Sequence, residues 1–269
     1  MSHADTTTIA PQLDKTALPA LMADQSFWGM AVTQFLGAFN DNVFKQLMLL
    51  LATPTAAAIE VGAVPRDLQS EAMIVFAAAF LLFSGFAGFI ADKFSKRTTI
   101  VACKAAEIAV MFAGMVGFYY YDVIGFSGML AILFFMGLQS AFFGPSKYGI
   151  LPEMVRESDL PRANGIFLMF TFLAIIFGTA IAGLLKEALG EEVWKASFVC
   201  IGIAVVGTLT SLLVRKVPVA EPKLQLSWAS FGVPRDIIAL LRRDRELFWA
   251  LIVCSMFSMI RVIVQQTVN

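Results

Sequence analysis

The chain has 269 residues, 58% of them hydrophobic and only 15% charged, with 20 Lys+Arg against 20 Asp+Glu and 25 Phe. Ordinary globular domains are about 45–50% apolar and roughly 25% charged. Together with a mean hydropathy of +0.77, this excludes a disordered chain and a basic nucleic-acid-binding protein, and it fits an integral membrane protein.

A spanning helix needs about 20 mostly apolar residues, so stretches free of charge mark the elements. Residues 1–25 form a polar tail carrying Asp5, Asp14, Lys15 and Asp24, without the cationic start and short apolar core of a cleaved signal peptide. Span one covers 26–52 and is apolar except for Asp41 and Lys45. Span two is 72–91, and span three, 98–121, is interrupted only by Lys104 and Glu107. Spans four, five and six follow at 123–146, 163–185 and 196–214. Span five carries Gly178 and Gly183 around Ala182, a small-residue face suited to helix packing.

Segment 215–245 is broken by Pro218, Pro222 and Pro234. After Pro234, Ile237, Leu240 and Leu241 fall on one helical face, with Asp236 early and Arg242 and Arg243 late, as the helix dipole favours. With Trp228 and Phe231 as an interfacial anchor, this reads as a short amphipathic helix on the membrane surface. Span seven fills 246–269 and contains Arg261. It stops without a terminal loop, so the chain is expected to be a piece of a longer protein. The expected architecture is all-α: a tail (1–25), a six-helix bundle (26–214), a bridging loop (215–245) and the first helix of a second half (246–269). Six spans, a central loop and a second set is the plan of secondary transporters built from repeated halves.

With the N-terminus placed inside, the inside segments hold fourteen Lys and Arg, and the outside loops hold only Arg66, Lys186 and Lys195. That bias predicts a cytoplasmic N-terminus. The cysteines at 103, 200 and 254 each sit in apolar sequence and read as small hydrophobes, and His3 is the only histidine. No catalytic set, metal site or cofactor is expected.

Charges inside spans cost about 2.5–3.5 kcal/mol each on insertion scales, so they face a bundle interior or a watery cavity. Asp41 and Lys45 stand four apart, and Lys104 and Glu107 three apart, both spacings at which helix neighbours pair. In span one, Asn40, Asp41, Asn42, Lys45 and Gln46 fall within seven positions, more polar groups than one local pair satisfies. A helix lining a midplane cavity accounts for all five. Arg261 has no acid on its own helix apart from Glu246 at the far end, so Asp41 or Glu107 is its expected partner.

The turn after span two runs Gly88-Phe89-Ile90-Ala91-Asp92-Lys93-Phe94-Ser95-Lys96-Arg97. Gly88 and Ser84 are expected to permit close helix contact, and Asp92 to meet a neighbouring helix end or an arginine. After span four comes Phe142-Phe143-Gly144-Pro145-Ser146-Lys147-Tyr148-Gly149-Ile150-Leu151-Pro152-Glu153, then Leu160-Pro161-Arg162-Ala163-Asn164-Gly165. With Phe39-Asn40-Asp41-Asn42 and Phe44-Lys45, these strings resemble the lysophospholipid transporter branch of the major facilitator superfamily over residues of about 26 to 268.

The resemblance implies a twelve-helix transporter in a bacterial inner membrane, with membrane lipids around it and no nucleic-acid partner. It would move lysophospholipids between leaflets for re-acylation, beside or fused to an acyltransferase/acyl-ACP synthetase. By motif, Asn40, Asp41, Asn42 and Lys45 belong to the cavity, which the buried charges Lys104, Glu107 and Arg261 extend. Gly88, Asp92, Lys93 and Arg97 form one conformational gate, and Lys147 and Glu153 belong to a second. Alternatives are a major facilitator transporter of another solute, such as a drug or peptidoglycan fragment, or the membrane domain of a fused acyltransferase whose enzyme part lies beyond residue 269. Residues 1–269 contain neither a His-based acyltransferase motif nor a Gly-rich phosphate loop.

Overall fold

In the computed structural model the described residues are 17–52, 68–190, 192–222, 224–225 and 235–268. They are mostly helical. Six long helices follow one another: α1 Gln25–Ala52, α2 Leu68–Lys93, α3 Lys96–Tyr119, α4 Tyr121–Met154, α5 Leu160–Leu189 and α6 Ala196–Ser211. After them come a short α7, Arg235–Arg243, and α8, Arg245–Val268. Among the described residues five segments are long and apolar enough to cross a membrane: Leu68–Lys93, Lys96–Tyr119, Tyr121–Met154, Glu157–Leu189 and Val193–Ser211. α1 is long enough at 28 residues, but its run of polar side chains at 40–46 lowers its hydropathy.

The chain divides into two compact units, Met1–Gln225 and Leu226–Asn269. In the first, neighbouring helices pack in the order α5, α1, α6, α3, α4, α2, and α1 also touches α4. Close approach is set by small residues. A Cβ on Gly178 of α5 would lie 2.8 Å from the Phe39 carbonyl of α1, and one on Gly137 of α4 would lie 2.9 Å from the Phe76 carbonyl of α2. Gly183 and Gly88 differ from expectation. A Cβ at either meets nothing within 4 Å, and Ser84 is exposed, so among the described residues that face of α2 has no neighbour to admit.

Two apolar clusters fill the unit. One gathers Val43, Phe44 and Leu47 with Met111, Met129, Leu133 and Ala204. The other gathers Phe27, Met30 and Ala31 with Ile100, Ile150, Leu151 and Phe167. The stretch of α1 between these two sets carries Gln34, Asn40 and Asp41, so a polar layer separates two greasy ends.

The N-terminus of α1 is held by Asp24, whose Oδ1 accepts the Ser26 N–H at 2.9 Å and the Phe27 N–H at 3.4 Å, satisfying donors the first turn leaves unpaired. The same carboxylate pairs with Arg215 at 2.5 Å, and the Arg215 N–H donates to Ser26 Oγ, tying the start of α1 to the chain just after α6. α4 is broken at its start by Gly125, whose φ of +61° and ψ of −171° suit glycine. It also carries Pro145 and Pro152, each lacking the N–H that would close a helical bond.

In the second unit α7 has the expected amphipathic sequence, with Arg242 and Arg243 in its last turn and Ile237 and Leu240 exposed. The Asp244 carboxylate accepts the Leu247 N–H at 3.0 Å and caps α8. Trp228, Phe231, Pro234 and His3 lie outside the described residues. Cys103 and Cys200 are buried as expected, but Cys254 on α8 is exposed.

Candidate functional site

The polar layer contains two carboxylates with different surroundings. Glu107 on α3 forms an ion pair with Lys104 one turn earlier on the same helix, and the two side chains are 2% and 1% exposed. Asn40 of α1 donates from Nδ2 to Glu107 Oε1 at 2.7 Å. The Lys104 ammonium fits between glycines of two neighbouring helices. A Cβ on Gly37 of α1 would come within 3.1 Å of Nζ, and one on Gly207 of α6 within 2.9 Å of Cε and 3.1 Å of Nζ. The Thr208 hydroxyl donates to the Lys104 carbonyl at 3.1 Å. Hydroxyls close the same seam further along, with Thr33 and Thr210 oxygens 2.9 Å apart. The expected Lys104–Glu107 pair is therefore formed, and it is sealed inside α1, α3 and α6.

Asp41 faces α4 instead. Its Oδ2 accepts the Ser140 hydroxyl at 2.6 Å, and its Oδ1 accepts the Gln139 amide at 3.4 Å. Gln139 Nε2 also donates to Ser140 Oγ at 2.8 Å. These donors are neutral and orient the carboxylate without cancelling its charge. Lys45, Lys104 and Glu107 lie within electrostatic range of Asp41, and so does Lys147 on α4. Ser140 and Lys147 are seven residues apart and share a helix face. The Lys45 ammonium lies 5.6 Å from the centre of the Phe76 ring, and that of Lys147 lies over Tyr148 at 4.8 Å and Phe143 at 5.7 Å. Cations over aromatic faces are held by the ring quadrupole while remaining able to meet an anion. Asn42 is satisfied within its own helix, donating to the Ala38 carbonyl at 2.7 Å. On the other side of α1, Gln34 donates to Thr171 of α5 at 2.8 Å.

The residues around the α2–α3 turn are partly tied down. Lys96 Nζ reaches Glu153 Oε1 at 2.6 Å, with Lys96 only 5% exposed, and joins the start of α3 to the end of α4. Arg97 Nη2 donates to the Leu212 carbonyl at 2.9 Å, where α6 ends. The Lys93 ammonium lies 5.2 Å from the Phe89 ring centre. Asp92 is exposed, and its backbone carbonyl accepts the Glu221 N–H at 3.0 Å. Two members of this expected gate lack the contact expected of them among the described residues: no helix approaches Gly88, and the exposed Asp92 carboxylate meets neither a helix end nor an arginine. Arg261 lies on α8, and its side chain is outside the described residues.

Sequence reasoning missed Gln139, Ser140 and Lys96. The first two were visible as adjacent polar residues in the otherwise apolar run 123–146, the same kind of signal that marked span one. Lys96 had no such signal: nothing in the order of Lys93, Lys96, Arg97 and Lys147 tells which base meets Glu153. Among the described residues no group of three or more His, Cys, Asp or Glu side chains is placed to hold a metal.

The family model of the Major Facilitator Superfamily matches residues 20–268. The chain belongs to this superfamily. It is 31% identical over 240 residues to a protein of Enterobacter sp. (strain 638) named lysophospholipid transporter LplT, covering 86% of this chain and 55% of that one. Proteins of the same name from Serratia proteamaculans (strain 568) and Salmonella newport (strain SL254) are 26% and 31% identical. The alignments cover 88% and 84% of this chain, and 55% and 52% of the relatives. The chain thus spans about half the length of the curated relatives it matches.

Proposed function

We propose that this chain is the first half, and the start of the second, of a transporter that moves lysophospholipids between membrane leaflets by alternating access, not an enzyme. The observation that carries the reading is Asp41, a carboxylate in the polar layer of α1, held by the neutral donors Ser140 and Gln139 with lysines in electrostatic range. A zwitterionic headgroup has an amine and a phosphate. Asp41 meets the amine, and Lys147 meets the phosphate through charge-assisted hydrogen bonds. Hydrogen bonds from Ser140 and Gln139 aim the carboxylate before substrate arrives, which lowers the ordering cost of binding.

In this proposal the Lys104–Glu107–Asn40 cluster is scaffold rather than contact surface. The Lys96–Glu153 pair and the Arg97 cap on α6 are the joints that break and re-form as the bundle opens and closes. The distribution of Lys and Arg supports an N-terminus in the cytoplasm, and the likeness to bacterial lysophospholipid transporters supports a bacterial inner membrane. Lysolipid delivered there is a substrate for re-acylation, so an acyltransferase or acyl-ACP synthetase is the partner activity.

The test is uptake of headgroup-labelled lysophosphatidylethanolamine into proteoliposomes. Asp41→Asn keeps the shape and the bond from Ser140 but removes the charge, and uptake is expected to fall roughly tenfold, the equivalent of about 1.4 kcal/mol. Unchanged uptake in that variant removes Asp41 from the headgroup site. No uptake by well-folded wild type sinks the lysolipid assignment.

A further inference from the structure

Just before α1, residues 17–24 cross one end of the first unit as a strap. Leu18, Leu21 and Asp24 are buried, while Pro19, Ala20, Met22 and Ala23 between them are exposed. Leu21–Ala23 is one turn of 3-10 helix, in which side chains three apart eclipse, and this sets Leu21 and Asp24 on one side. Leu21 packs in the apolar cluster that holds Ile150, Leu151, Met154 and Val155 from the end of α4. A residue before proline is disfavoured in helical backbone, so Leu18 keeps its carbonyl out of the turn. Arg156, just past α4, donates to that carbonyl from Nε at 2.7 Å and also from Nη2. At its other end the strap is fastened by Asp24 to Arg215, just past α6.

These ties close a ring. Arg97 links α3 to the end of α6, and Arg215 links that end to the strap. Arg156 links the strap to α4, and the Lys96–Glu153 pair links α4 back to α3. The strap is the one link in the ring that is not part of a long helix, so it can lift away without moving one. Its bonds also lie where water reaches. Glu153, Arg156 and Arg215 are all partly exposed, unlike the sealed Lys104 and Glu107. Water replaces a lost partner at such positions, which keeps the cost of opening small.

The helix that gains freedom is α4. Counted from Gly125 to Met154 it is about 44 Å long at 1.5 Å per residue, against a hydrocarbon core of ~30 Å. Pro145 and Pro152 both lie in its final third, where each removes a backbone bond. We infer that residues 17–24 are a releasable latch. While Arg156 holds the Leu18 carbonyl, the end of α4 is fixed to the start of α1 and the end of α6, and release lets α4 bend at its prolines.

The test is hydrogen–deuterium exchange, read by mass spectrometry on the complete protein in nanodiscs without cargo. In Arg156→Gln the amides of 18–24 and of 146–156 are expected to exchange roughly fivefold faster, while 99–111 of α3 stays as in wild type. Arg156→Lys keeps the charge but loses the two-pronged fork, and should fall between the two. Leu18→Ser loosens the same two segments from the strap side, and serves should Arg156→Gln fail to fold. Unchanged exchange in both segments overturns the latch, as does a rise spread over all the helices. A rise confined to 18–24 shows a strap that fastens nothing, and also overturns it.

Locking the strap is the converse, and this arm rests on the transporter reading. Ala20→Cys and Ser158→Cys, both at exposed positions, are joined by a reducible bifunctional thiol reagent in a Cys254→Ser background. Uptake of lysophosphatidylethanolamine should fall on joining and return on reduction. Full uptake with the strap joined overturns release as part of the cycle. Exchange needs no cargo, so the latch stands or falls by it even where the uptake assay returns nothing.

Discussion

Glu107 and Asp41 are carboxylates in the same polar layer, and their neighbours give them opposite characters. Glu107 has a cation one turn away on its own helix and an amide from α1, and its side chain is 2% exposed. Asp41 has a serine hydroxyl and a glutamine amide from α4, which position it but leave its charge to act at a distance. A buried charge with a full local partner is architecture. One that is oriented but not neutralised by its nearest donors is equipped to meet something else. Each was a candidate for the cavity by sequence, and in the structure their partners differ.

The sharpest way to break this comparison is to remove one member of the sealed pair. Glu107→Gln or Lys104→Met leaves an uncompensated charge and is expected to cost about 3–5 kcal/mol, seen as a large fall in melting temperature and yield. The double variant Lys104→Met/Glu107→Leu should recover most of it. Full stability in either single variant would show that the pair is not the closed unit described.

A smaller loss is expected from Gly207→Ala, which sets a methyl group 2.9 Å from Lys104 Cε and should cost about 1–3 kcal/mol by overpacking. Thermal unfolding reads this directly, and Gly202→Ala on the same helix, with nothing within 4 Å, is the control that should be silent. Asp41→Asn belongs to the other class. Its expected effect is the roughly tenfold loss of uptake, about 1.4 kcal/mol, with melting close to wild type. Loss of fold instead would make Asp41 a second Glu107. The smallest effect concerns Lys96 and Glu153. A double-mutant cycle with Lys96→Gln and Glu153→Gln should return a coupling of about 1 kcal/mol in thermal unfolding, and a value near zero would remove the pair as a joint between α3 and α4.

Much of the helical plan was open to a reader of the sequence, because lipid allows few ways to hide a backbone and apolar runs must match the bilayer. The Lys104–Glu107 contact was equally legible, since both partners lie on one helix at a spacing that fixes their distance. Contacts between helices were not. That Asn40 turns to Glu107 while Asp41, the next residue, turns to α4 depends on how α1 is rotated against two neighbours, and adjacent residues on a helix point about 100° apart. The close packing expected of Gly88 failed for the same reason: a glycine permits approach, but another helix has to arrive. Gly178 and Gly183 make the point on one helix, the first pressed against Phe39 and the second facing open space.

The lysine seated between Gly37 and Gly207 also bears on motion. Its side chain works like a pin through three parallel rods: α1 and α6 cannot slide or twist past α3 without pulling an ammonium out of its slot. Those helices should therefore travel as one block through any transport cycle. Flexing is left to elements outside the pin, above all α4, where two prolines interrupt the ladder of backbone bonds and where the donors to Asp41 reside. In the proposed transporter, bending of α4 would swing Ser140 and Gln139 relative to a stationary carboxylate and so couple release of cargo to a change of shape.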